Sequence, residues 1–146
     1  MRNSTLTALM PCESSSLVTN STNGVEPPRG LLSVKKSKQG LIPQVVPEIY
    51  KFRTKYTLAY EMENNRGYTN IIAVIQKYTD QAISANHYYN FAKYENGNLP
   101  LSEIANDLLY SYKVGLKTLY YANTDDGKTD NHIEENNSCD GGACSI

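Results

Sequence analysis

Two adjacent phenols, Tyr120 and Tyr121, stand where the patterned part of the chain gives way to a polar tail. A phenol can lose an electron and a proton together, and oxidation over a distance runs more easily as short hops between such groups than as one long step. The plainer reading is a strand with one ring in and one out, since strand side chains alternate; the chain also carries Tyr88-Tyr89. Further on, Cys139 and Cys144 are separated by four residues, among them Gly141 and Gly142. That spacing lets the sulfurs meet, and an accessible dithiol can exchange with disulfides at two places in turn. The alternatives are an inert tail, or a zinc site that would need four ligands with only His132 nearby. Near the start, Pro11-Cys12-Glu13-Ser14-Ser15 is a hydroxyl-rich turn ahead of Leu17 and Val18. At a helix start, backbone N–H groups, side-chain donors and the positive dipole end suit a diphosphate. As pattern alone, it is more simply an ordinary N-cap supplied by Ser14 or Ser15.

These residues need elements to hold them. Leu6 to Met10 reads as the end of a buried strand, and Asn20 to Gly24 as a turn, with Gly24 able to take a positive φ. Val25-Glu-Pro-Pro-Arg-Gly30 is a stiff extended connector, because each proline excludes helix from the residue before it. Leu31–Lys36 and Leu41–Val46 form a hairpin around Ser37-Lys-Gln-Gly40, and Pro43 puts the second strand at an edge. Pro47 opens a helix with Ile49, Phe52, Tyr56 and Tyr60 on one face, ended by Asn64–Gly67. A second helix spans Thr69 to Ile83, with Ile71, Ile75, Tyr78 and Ala82 inward. Ser84–Phe91 is short and extended, and Glu95–Asn98 a turn. A third helix runs from Leu101 to Tyr112 with Ile104, Leu108 and Tyr112 inward, Gly115 stops it, and Leu116–Ala122 is a strand. The last strand, helix and strand make a β-α-β unit with a parallel crossover. His87 and His132 carry no motif and read as solvated surface residues.

The chain of 146 residues suits one modest core. A net charge of -1 gives no global electrostatic argument for nucleic acid or a membrane surface. No run approaches the roughly 18 apolar residues of a membrane span, and Met1–Met10 lacks a signal-peptide core. The tail after Thr124 has Asp125, Asp126, Asp130, Glu134, Glu135 and Asp140 against Lys128 alone, which reads as a solvated acidic segment. Three cysteines make a poor disulfide framework and fit a reducing cytosolic setting. With 12 tyrosines, two phenylalanines and no tryptophan, the aromatic complement fits a half-buried surface that completes something larger.

Arg2-Asn-Ser-Thr5, Pro11–Ser15, Thr22-Asn-Gly-Val-Glu-Pro-Pro-Arg-Gly30, Gln81-Ala-Ile-Ser-Ala-Asn86, Lys117-Thr-Leu-Tyr-Tyr121 and the closing Cys-x4-Cys occur in that order. Together they resemble the C-terminal part of the large, catalytic subunit of class Ia ribonucleoside-diphosphate reductase, across essentially the whole chain. The chain is similar to the separately encoded C-terminal piece of a split large subunit of the kind found in T4-like Aeromonas phages; an expressed fragment would look the same. The resemblance implies an α/β fold, residues 1–122 forming the C-terminal part of a ten-stranded α/β barrel and residues 123–146 a disordered acidic tail carrying the dithiol.

It also implies roles. Pro11, Cys12, Glu13, Ser14 and Ser15 would cradle the substrate's phosphates, although Cys12 stands where relatives often have serine and puts a hydroxyl contact in doubt. Tyr120 and Tyr121 would pass the radical toward an active-site cysteine, which requires the strand to end or kink there. Cys139 and Cys144 would reduce the active-site disulfide and be reduced by thioredoxin or glutaredoxin. Nothing in the chain matches the radical-bearing cysteine, the active-site cysteine pair or the nucleotide-sensing domain. The expected partners are therefore a chain carrying the rest of the large subunit, a radical-generating small subunit with a di-iron/tyrosyl-radical cofactor, and a ribonucleoside diphosphate. No cofactor or metal is expected in this chain. The rival readings are an assembly module without chemistry and a free-standing small oxidoreductase.

Overall fold

A computed structural model of the chain describes residues 2–37, 40–126 and 133–134. The expected hairpin is present: β1 (Leu32–Ser37) pairs antiparallel with β2 (Gly40–Val45), from Leu32↔Val45 to Ser37↔Gly40. Gly40 closes it at φ 130, a conformation that residues with a Cβ avoid. Among the described residues β2 is the edge of its sheet, whose order is β2-β1-β5, so Pro43 costs no ladder bond to a further strand there. In that sheet β5 (Ile133–Glu134) runs parallel to β1.

The expected β-α-β unit also forms. β3 (His87–Asn90) is followed by two short 3-10 turns, then α4 (Leu101–Val114), then β4 (Ala122–Asp125), which lies parallel to β3. Gly115 ends α4 in the left-handed conformation at φ 95 and donates to Tyr112 O, as its position after the last periodic residue requires. The closing strand, however, starts at Ala122 rather than Leu116. Leu116 turns inward to the core instead, and residues 117–121 cross to β3 without strand structure. β4 thus begins at the last residue assigned to the barrel part and continues into the first residues assigned to the tail, 123–146.

Several local expectations are overturned. The helix expected from Pro47 is a single turn, α2 (Ile49–Phe52), continued by a 3-10 turn at Arg53–Lys55. None of its residues is buried, so nothing offsets the cost of nucleating a longer helix. Asn64–Gly67 starts a helix rather than ending one: Asn65 is the N-cap of α3 (Arg66–Gln76). α3 stops at Gln76, whose side-chain amide donates to Thr79 O at 2.9 Å and Gln81 O at 3.0 Å, shaping the exit loop. Leu6–Met10 is neither strand nor buried.

The inward faces are only partly as expected: Ile75 packs against the core and Ile104 is half-buried, but the other positions on these faces differ. α3 buries Tyr68, Thr69, Ile72, Ala73 and Gln76, and leaves Ile71 and Val74 exposed, as is Tyr78 just after it. α4 buries Asp107 and Ser111, and leaves Leu108 and Tyr112 exposed. Apolar periodicity marks the face that must leave water, but not which neighbour covers it. Here the buried polar side chains are mutually satisfied. Asn65 Nδ2 donates to Asp107 Oδ2 at 2.9 Å, Tyr89 OH donates to the same oxygen at 3.1 Å, and Ser111 Oγ donates to Asp107 O at 2.7 Å.

The small apolar core lies beside this network: Tyr68, Ile72, Ala73, Ile83, Ala85 and Leu116, flanked by Met62, Ile75, Val114 and Leu119. Ile72 has no exposed surface. Truncating Ile72→Ala should destabilise the fold by about 3 kcal/mol through lost burial and a residual cavity. Thermal denaturation of the variant should show a clearly lowered midpoint, with the partner-bound chain as reference.

Candidate functional site

Because β4 begins only at Ala122, Tyr120 and Tyr121 escape strand alternation and reach the same side. Their ring centroids are 3.9 Å apart with planes tilted by 43°, and Tyr121 OH donates to Tyr120 OH at 3.0 Å. The two residues are 53% and 57% exposed, so they pack on each other at the surface of the described residues. This meets the geometric condition set by the sequence, that regular strand structure must not separate the two phenols.

The backbone beneath them is held by the stretch that ends Gln81–Asn86. Tyr120 N donates to Ala85 O at 2.8 Å, and His87 N donates to Tyr121 O at 2.9 Å. Between these, Tyr121 N donates to the side-chain oxygen of Asn86 at 3.0 Å. The other end of that amide, Asn86 Nδ2, donates to Glu26 Oε1, and Tyr88 OH donates to Glu26 Oε2 at 2.9 Å. Three separate sequence stretches therefore meet at one place. Burial, reinforced by the Glu26 carboxylate, pushes the Tyr88 phenol well above its ordinary range. Burial chiefly raises Tyr68 to about 12. Arg29 lies over the Tyr88 ring at 6.0 Å and donates to Asn123 Oδ1 at 3.4 Å.

The turn at Pro11–Ser15 opens α1 (Glu13–Thr19). Its cap differs from the expected one: Cys12 is the N-cap, makes no side-chain cap bond, and donates instead from Sγ to Met10 O at 3.4 Å. Ser14 and Ser15 fall inside the first turn and are exposed. The N–H groups of Glu13, Ser14 and Ser15 are those an α-helix leaves without an intrahelical acceptor. Gln44 Nε2 donates to Ser16 O at 3.1 Å and Asn20 Nδ2 to Val45 O at 3.0 Å, fastening α1 to β2.

The segment leading into this turn is pinned by Asp80. Its carboxylate accepts Leu6 N at 2.9 Å and Thr7 N at 3.1 Å, and these two N–H groups hold its carboxyl below the usual range. Lys117 Nζ donates to Asp80 O, so the stem of the tyrosine pair and the stem of the turn share an anchor. Cys139 and Cys144 lie outside the described residues, as does His132. Among the described residues no three His, Cys, Asp or Glu side chains converge as a metal site. No helix among them is long and apolar enough to cross a membrane.

His87 corrects the surface expectation outright. It is 3% exposed, with Nε2 at 3.3 Å from Thr69 Oγ1 and Nδ1 at 4.0 Å from Asp107 Oδ2. Burial lowers its pKa, partly opposed by the Asp107 carboxylate. The unfolded chain, with an ordinary histidine near 6.5, therefore binds the proton more readily than the folded one. Stability should be fully present above about pH 6.5 and decline as pH falls below it. His87→Gln should flatten that slope in thermal denaturation scans from about pH 7.5 to about pH 5.5. Glu26, Asn86 and Asp107 sit in no chemical spacing pattern, and neither does His87. The one available signal is that Glu26 and Asn86 lie within the ordered family-like stretches.

A family model describing the barrel domain of ribonucleotide reductase matches residues 1–122. The chain is 50% identical over 146 residues to "Ribonucleoside-diphosphate reductase subunit alpha" of Haemophilus influenzae, covering 100% of this chain and 19% of that protein. It is 46% identical over 151 residues to "Ribonucleoside-diphosphate reductase 1 subunit alpha" of Escherichia coli, covering 100% and 20%. The subunit alpha of Enterobacteria phage T4 is 45% identical over 150 residues, again covering 100% and 20%. The chain thus spans about a fifth of the length of these relatives.

Proposed function

The chain belongs to the ribonucleotide reductase barrel-domain family, and from that membership we propose that it supplies three working parts of a ribonucleoside-diphosphate reductase without holding the whole site. The reaction would convert ribonucleoside diphosphates to deoxyribonucleoside diphosphates in the cytoplasm, the host's if the chain is phage-encoded. The observation that carries the reading is the closely packed, hydrogen-bonded Tyr120–Tyr121 pair.

The pair fits stepwise radical transfer. When a phenoxyl radical on one ring takes an electron from the other, the second phenol's proton crosses the 3.0 Å hydrogen bond. One O–H bond breaks, the other forms, and neither ring is left charged. The first oxidant is a radical delivered by the small subunit with its di-iron/tyrosyl-radical cofactor, and the last acceptor is a cysteine. That cysteine would lie in the part of a large subunit outside these 146 residues, since none of Cys12, Cys139 and Cys144 matches its motif. Residues 11–15 would receive the substrate's phosphates through the amides of Glu13, Ser14 and Ser15 and the two serine hydroxyls. Cys139 and Cys144 would carry two electrons and two protons to the active-site disulfide and be recharged by thioredoxin or glutaredoxin.

A second reading, an assembly module without chemistry, is favoured by one observation. Ile71, Val74 and Tyr78 on and just after α3, with Leu108 and Tyr112 on α4, present apolar surface outward. The barrel these helices would complete is open here, since the strands form a three-stranded and a two-stranded sheet among the described residues. The remainder of the large subunit is the occupant those faces suit. Phe at Tyr120 or Tyr121 separates the readings: activity that persists in the assembled complex contradicts radical transfer, and a defect confined to assembly favours the scaffold.

A further inference from the structure

We propose that Glu26 and Asn86 form a clamp that positions the Tyr120–Tyr121 pair, Glu26 fixing the sense of the Asn86 amide so that its oxygen holds Tyr121 N–H. This rests on the radical-transfer reading and names residues that it does not require. A primary amide has a donor end and an acceptor end of nearly the same shape. Flipped, Asn86 would set its NH2 against Tyr121 N–H and its oxygen against the Glu26 carboxylate, giving one donor–donor and one acceptor–acceptor clash. The ionised carboxylate permits only the observed sense, in which Asn86 Nδ2 donates to Glu26 Oε1 and Oδ1 accepts from Tyr121 at 3.0 Å. Tyr88 OH steadies the carboxylate from its other oxygen at 2.9 Å, and Tyr68 OH accepts Asn86 N at 3.4 Å.

Asn86 is 6% exposed, so water does not readily replace a lost partner. The clamp sits between the two main-chain bonds that join Ala85 to Tyr120 and His87 to Tyr121. Those bonds set where the segment lies, whereas Tyr121 N–H is held by a side chain alone. Losing that bond frees the peptide between the two tyrosines to rotate. The rings meet at 3.9 Å and share a 3.0 Å O···O contact, so rotation there opens the gap that a proton must cross.

The test uses the assembled reductase complex and a pair of reciprocal substitutions. In Asn86→Asp, two carboxylates face each other, and turnover should fall roughly 10- to 100-fold with KM for the diphosphate unchanged. Glu26→Gln alone should cost only about threefold, because the new side chain's carbonyl oxygen can still accept from Asn86. In the double variant Glu26→Gln, Asn86→Asp, the amide introduced at position 26 donates to the carboxylate introduced at position 86. That carboxylate keeps an oxygen for Tyr121 N–H, and turnover should recover to within about threefold of wild type. Thermal midpoint and partner co-purification are followed throughout. Normal turnover in Asn86→Asp, or a double variant no better than Asn86→Asp, would overturn the clamp. So would a loss accompanied by a raised KM or a lost complex, because the residues would then serve the fold alone. Tyr121→Phe is run alongside. If it stays active the radical reading fails, whereas an inactive Tyr121→Phe with normal Asn86→Asp removes the clamp only.

Discussion

With Tyr121 replaced by Phe, the assembled reductase should lose turnover by roughly 1,000-fold, equivalent to about 4 kcal/mol of added barrier. The substitution removes one oxygen from a residue that is 57% exposed, so folding and assembly should hardly change. What disappears is the O–H that donates to Tyr120 at 3.0 Å and with it a group that yields an electron and a proton together. Phe leaves the 3.9 Å ring contact in place but gives the hole no accessible station. Tyr120→Phe should fail equally, since a relay is broken at either position. Substrate binding should stay near wild type, as the diphosphate sits at residues 11–15 in this reading. The checks are steady-state product formation, substrate affinity and co-purification of partners.

The double substitution Cys139→Ser, Cys144→Ser should produce a different failure. The complex should carry out roughly one round of reduction per active site and then stall, because the disulfide formed there has no internal dithiol to reopen it. A single-turnover product burst of normal rate followed by a flat phase is the expected trace. An added small-molecule dithiol that reaches the site directly should restore slow turnover, while thioredoxin or glutaredoxin should not. Unimpaired multiple turnover with the protein reductant would remove the relay from the account. The two failures are distinguishable in one experiment: the tyrosine variants give no burst, and the cysteine variant gives a burst alone.

The elements fixed by local chemistry were legible in the sequence. The hairpin follows from two short runs around a turn ending in Gly40, which takes φ 130, and the end of α4 follows from Gly115 at φ 95. The parallel pairing of β3 and β4 follows from strand, helix and strand in succession. The faces of α3 and α4 were legible only in part: Ile75 packs on the core as expected, but Ile71, Tyr78, Leu108 and Tyr112 are spaced for burial yet face outward. Such a stripe records a need for cover that, on the proposed function, a second polypeptide meets. The start of β4 was missed since Leu116–Ala122 has strand-like residues, whereas Leu116 is taken by the core. At the candidate site, the tyrosine pair and the turn at residues 11–15 were visible as motifs. The clamp was not, as a link from Glu26 through Asn86 to Tyr121 joins stretches far apart in the chain. Likewise His87 reads as polar and exposed until Thr69, Tyr89, Asp107 and Ser111 are seen to surround it.

The most direct measurement mixes this chain with a polypeptide carrying the remaining barrel and with the radical-generating small subunit, then follows deoxyribonucleoside diphosphate formation with thioredoxin or glutaredoxin as reductant. Product should form only when all three chains are present and should stop when any one is left out. Product formed at the full rate without this chain, or a fully assembled three-chain complex that makes none, would contradict the account.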